Sequence, residues 1–156
     1  MRPTIRIAHA PWRAAVPDAR AIVRRAVRAA LAVAPDPGAA EMTVMLADDA
    51  LLRDLNRTWR GKDKPTNVLS FADGGPAAPE APRALGDVVI AFETTAAEAE
   101  AARIALADHL AHLVVHGTLH LLGFDHERAR DAKVMEPMEV RALARIGIAD
   151  PYRRAA

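Results

Sequence analysis

The sequence predicts a single α+β domain spanning residues 1–156, with a small mixed sheet of about four strands packed with helices. Three observations point there. Short alternating or apolar stretches recur between helical patterns from Thr4 to Phe92, as strands interleaved with helices do. From Thr94 to Leu122 the composition is helical throughout. Inside that helical region begins a histidine cluster, His116, His120 and His126, whose spacing marks one helix as a metal-site helix. A chain of 156 residues is long enough to bury an ordinary core without disulfide or metal staples.

Thr4 to Ala8 alternates as a short half-buried strand. Asp18 to Ala34 reads as a helix: Pro17 and Asp18 suit its first turn, Ile22, Val23, Val27 and Leu31 face inward, and arginines face out. Pro35, Pro37 and Gly38 end it. Met42 to Ala47 is a strand, and Asp48 or Asp49 caps a helix running to about Trp59. Gly61 to Pro65 forms a loop, followed by strands over Asn67–Phe71 and Leu85–Phe92. The Pro/Gly-rich stretch Asp73–Arg83 between those strands reads as a mobile loop, and its position beside the basic segment leaves a substrate-covering role open. By periodicity Thr94–Leu122 reads as one helix, which is long for a compact domain. Ala129 to Arg145 closes the chain as a helix that Pro137 should kink or restart.

The run His116-Gly117-Thr118-Leu119-His120-Leu121-Leu122-Gly123-Phe124-Asp125-His126 carries the chemistry. His116 and His120, four apart on a helix, share a face with Cβ atoms roughly 6 Å apart. His126 cannot join them along the same helix, because ten residues would carry it about 15 Å down the axis. Gly123 is the residue able to take the left-handed turn that brings the chain back. Three imidazoles leave one position open, as a catalytic zinc requires. The competing reading is a set of core histidines bonded to backbone; three at this spacing with a turn glycine favour one Zn2+ per chain. A stripe of His112, His116 and His120 would span about 12 Å of axis, too far for one ion. That places His112 outside the coordination sphere or in the core.

The spacing is that of the metzincin pattern H-E-x-x-H-x-x-G-x-x-H, with one departure. Gly117 stands where the peptidase glutamate, the general base, would be. A mid-helix glycine costs about 1 kcal/mol relative to alanine, so something is expected to approach the backbone closely there. The zinc-site helix is metzincin-like, but ordinary peptidase chemistry lacks its base.

The segment from His116 to His126 resembles the signature HGxLHLxG[YF]DH of the YbeY proteins at every defined position. Leu55-Asn56, Arg60 and Pro65-Thr66-Asn67-Val68-Leu69-Ser70-Phe71 resemble the family's LN-x3-R and PTDVLSF, with Asn67 where aspartate is more usual. Leu85-Gly86-Asp87-Val88 is similar to its LGD[IV]. The resemblance runs from about residue 40 to 152. It implies a single-domain, metal-dependent endoribonuclease of 16S rRNA 3′-end maturation and ribosome quality control in the cytoplasm. It also implies a break near Ile104–Ala107 that divides Thr94–Leu122 into two helices, metal ligands at His116, His120 and His126, a functional arginine at Arg60, and ribosomal RNA, ribosomal particles and ribosome-assembly proteins as partners.

The rest of the chain sets bounds on that reading. There is no cysteine, so a metal must be held by histidine or carboxylate. No apolar run approaches a membrane span and the N-terminus has no leader-like segment, so a soluble cytoplasmic protein without membrane contact is expected. Net charge is only +1, yet residues 1–40 hold seven arginines, and Arg53, Arg57, Arg60, Lys62 and Lys64 form a second basic stretch. Arg57, Arg60, Lys62 and Lys64 are the candidate substrate contacts, each able to neutralise phosphate. Aromatic residues make up 4%, so shape and phosphate contacts are expected to outweigh base stacking. His116 and Arg60 are the candidate catalytic pair, Arg60 as the fork that clamps a phosphoryl group. The candidate bases are Asp87 and Asp125, the latter equally suited to orienting an imidazole. Two other classes compete: a metzincin-like hydrolase of peptide or another small substrate, and a non-catalytic ribosome-assembly factor with a structural metal.

Overall fold

The computed structural model describes residues 1–73, 81–124 and 129–153. Its elements run in the order β1 (Thr4–Ile7), α1 (Pro11–Ala15), α2 (Ala19–Val33), β2 (Ala40–Ala47), α3 (Asp49–Arg60), β3 (Val68–Ala72), β4 (Arg83–Ala91), α4 (Phe92–Ala102), α5 (Leu106–Leu121) and α6 (Ala129–Arg145). The sheet is mixed and four-stranded, in the order β1-β2-β4-β3. β1, β2 and β4 are parallel, and β3 pairs antiparallel with β4 along one edge, placing Ser70 opposite Val88 and Phe71 opposite Asp87.

Strand alternation separates two faces. Met42, Val44 and Leu46 of β2 join Val88 and Ile90 of β4 in the main core, which α2, α5 and α6 complete. Ala47, Leu69, Val89 and Ala91 belong to the opposite face, where Leu52 of α3 joins them in a smaller cluster. Each expected strand and long helix is present. The side chain of Asp48 caps α3 by accepting from the Leu51 N–H at 3.0 Å.

Three local details refine the sequence reading. The short α1 was not expected: its five residues are too few to display a helical period. It buries Trp12 completely, and the indole N–H donates to the Ala47 carbonyl at 2.9 Å. The expected division of the second half falls at Arg103, which adopts a left-handed conformation between α4 and α5. Pro137 does not restart the last helix. α6 runs across it as one element, held by the buried Met135, Met138, Ala142 and Leu143. Those methionines are core residues. Among the described residues, no helix is long and apolar enough to cross a membrane.

Candidate active site

α5 carries the histidines and lies against β3 and β4. Gly117 is what permits that fit. A Cβ there would stand 2.7 and 2.9 Å from the two Val88 methyls and 3.1 Å from the Ser70 hydroxyl. The close approach anticipated at Gly117 is therefore made by the sheet. His116 and His120 consequently sit beside the edge strand β3, in a cleft of about 250 Å3 lined also by Arg60, Thr66, Asn67 and Ser70. After α5, Gly123 takes a positive φ of 103°, and the Phe124 N–H donates back to the Leu119 carbonyl at 3.1 Å. This is the turn the sequence requires. His126 and Asp125 lie outside the described residues.

Arg60 is the last residue of α3 and reaches this cleft from the other side of β3. Gly61, with φ 69°, ends the helix, and its N–H donates to the Arg57 carbonyl. The loop that follows is pinned by Asn56, which is buried and whose side-chain amide donates to the Lys64 carbonyl at 2.9 Å. Lys62 and Lys64 line a neighbouring cleft of about 410 Å3 that shares Arg60, Thr66 and Asn67 with the histidine cleft. Arg57 lines neither; it pairs with Asp54 at 3.1 Å on the exposed face of α3. Asp87 is exposed on β4 and lines a third cleft, away from the histidines. Asn67 donates to Glu98 at 2.9 Å, so the position acts as an amide donor and not as an acid.

Behind the histidines stands Glu139 of α6, which is only 1% exposed. One carboxylate oxygen is 2.6 Å from His112 Nε2 and the other 3.3 Å from His116 Nδ1. The Tyr152 hydroxyl donates to the same carboxylate at 2.9 Å. Burial would raise the carboxyl pKa, but the hydrogen bonds from His112 and His116 outweigh it and hold the group at about 2. Burial and the adjacent Glu139 charge push the Tyr152 phenol above its ordinary range. A carboxylate on His116 Nδ1 fixes the ring, and Nε2 is the nitrogen through which it would hold a metal. His112 thus belongs to the supporting network. Sequence reasoning missed Glu139, although a signal exists: it stands on the apolar stripe of Met135, Met138, Ala142 and Leu143.

The described residues contain no group of three or more His, Asp or Glu placed to hold a metal. Two imidazoles do face one cleft, one of them oriented by a buried carboxylate, and that donor chemistry suits a divalent transition metal once a third ligand is supplied.

Comparisons with known proteins bear on the family and on the fold. A family model described as Endoribonuclease YbeY matches residues 7–147. A protein of Paramagnetospirillum magneticum named Endoribonuclease YbeY is 53% identical over 146 residues, covering 90% of this chain and 89% of that protein. One from Azorhizobium caulinodans, bearing the same name, is 57% identical over 144 residues and covers 88% of each. The fold is similar to the solution structure of a Thermotoga maritima protein, with a TM-score of 0.54 and 19% identity, covering 97% of this chain and 99% of that one.

Proposed function

Because this chain belongs to the Endoribonuclease YbeY family, we propose that it hydrolyses RNA phosphodiester bonds as a single-strand endoribonuclease dependent on one zinc ion. Its place is 16S rRNA 3′-end maturation and ribosome quality control in the cytoplasm. Ribosomal RNA, ribosomal particles and ribosome-assembly proteins are its partners. One observation supports the reading above the others: Arg60 shares a cleft with His116 and His120.

His116 and His120 supply imidazole nitrogens, with His126 as the third ligand from the motif. When bound, the metal provides a Lewis acid that acidifies water and polarises a phosphoryl oxygen. Glu139 keeps the His116 ring in one orientation through Nδ1. Arg60 presents a planar fork of donors matched to two phosphoryl oxygens, and stabilises the charge that grows on them. Lys62 and Lys64, in the adjoining cleft, neutralise neighbouring phosphates.

The test combines metal analysis with cleavage of ribosomal RNA fragments. Wild-type protein should carry one zinc and cut RNA in a chelator-sensitive manner, whereas His116→Ala should lose both. Arg60→Ala should keep the metal and lose about 100-fold in cleavage. Arg60→Lys should recover only part of it, because lysine lacks the fork. Chelator-sensitive proteolysis without RNA cleavage would replace this reading with a peptidase. Binding to ribosomal particles without cutting either substrate would replace it with an assembly factor.

A further inference from the structure

The face of the sheet beneath α3 is not fully covered. A cleft of about 990 Å3 opens there over Met45, Leu55, Leu69, Phe71 and Val89. At its edge Trp59 is 68% exposed, and its ring meets Phe71 edge-on with centroids 6.2 Å apart. An indole left this open forgoes the burial that a side chain of its size would otherwise gain. The other tryptophan, Trp12, is completely buried.

This cleft continues into the catalytic one. Arg60, Leu69 and Ser70 line both. Trp59 immediately precedes Arg60, so the aromatic surface and the phosphate fork leave the same helical turn. Charge along the open cleft favours a polyanion: among the described lining residues Arg6 and Arg60 stand against one carboxylate, Asp87. An apolar floor, an exposed indole and cations beside it form the combination that binds single-stranded nucleic acid, where bases stack and phosphates pair.

We propose that Trp59, backed by Phe71, is a stacking shelf for a base of the RNA substrate that flanks the scissile phosphate. The strand crosses from the histidine cleft onto the open sheet face at Arg60. The shelf is sequence-tolerant, because every base offers a π face. It deepens the endoribonuclease reading and rests on it. Trp59 is here a positioning residue, acting on the substrate away from the reacting atoms.

The two tryptophans provide the experiment. Holoprotein mixed with single-stranded RNA in a stopped-flow instrument should show saturable fluorescence quenching before turnover. Trp59→Phe, with only Trp12 emitting, should show none. Trp59→Ala should keep fold and metal content but raise KM on the order of tenfold, as loss of one stacked base predicts, with Trp59→Phe between. An RNA lacking one flanking base should bind wild type correspondingly less well and bind Trp59→Ala no worse than intact RNA does. If Trp59→Ala cuts with unchanged KM and wild type shows no quenching, the shelf is wrong while the endoribonuclease reading stands. If wild type neither binds nor cuts RNA, both fall. Quenching by ribosomal proteins and not by RNA would make the face a protein-docking site and overturn the shelf.

Discussion

The two faces of the sheet differ in how completely they are sealed. Under α2, α5 and α6, Val44, Leu46, Val88 and Ile90 are fully buried. Under α3 alone, Met45, Leu55 and Phe71 remain half-exposed around an open cleft. The sealed face gives α5 one position, and with it the two histidines and the carboxylate behind them. The unsealed face leaves room for a polymer to lie. Between them runs the edge strand β3, and Leu69 and Ser70 line clefts on both sides. A site placed there has firmly held histidines on one side and an open approach on the other.

The largest expected effect tests that contrast directly. Leu46→Ala on the sealed face should cost about 3 kcal/mol, the transfer and cavity terms together. Met45→Ala, one residue along the same strand but on the open face, should cost about 1 kcal/mol. Urea denaturation of the two variants measures the difference. Equal losses would mean that the faces are equally packed and that the comparison fails.

How much of this was legible in the sequence follows the range of the interactions. The β2 alternation, the Asp48 cap and the histidine spacing with Gly123 are local patterns, and each identified its element. Arg60 was legible through its motif, and the structure places it in the lining of the cleft that His116 and His120 share. The residues that escaped depend on contacts between distant segments. Glu139 meets His112 from 27 residues away. Trp12 is anchored by a carbonyl 35 residues on. Composition also does not reveal that Trp59 stands exposed at the edge of the cleft over the open sheet face.

A smaller effect is expected at the contact between α5 and the sealed face. Gly117→Ala adds a methyl 2.7 Å from a Val88 methyl. Overpacking of that kind costs about 1–3 kcal/mol, while removing a helical glycine returns about 1 kcal/mol. A net loss of up to about 2 kcal/mol is expected, with reduced metal affinity as α5 lifts from β3. Val88→Ala in the same chain should relieve the clash, so the double variant should be more stable than the sum of the two singles. Strict additivity would show that Gly117 is present for some reason other than the close approach.

The smallest effect is expected where the sealed side supports the proposed metal ligands. Glu139→Gln keeps the shape of the side chain but removes the charge behind His116 and His112. Zinc affinity should fall about tenfold, the scale for removing a carboxylate from a ligand's imidazole, while Arg60 and the open face are left untouched. The metal-stripped protein offers a second readout. Since the Glu139 carboxyl is held at about 2 in the folded chain, below its ordinary 4.5, its contribution to stability is present above about pH 4.5. That contribution is lost as pH falls towards 2. Stripped Glu139→Gln should therefore show a shallower fall in stability across that interval than stripped wild type. An unchanged acid limb together with unchanged zinc affinity would leave Glu139 as a packing residue only, and would shift control of His116 to its other neighbours.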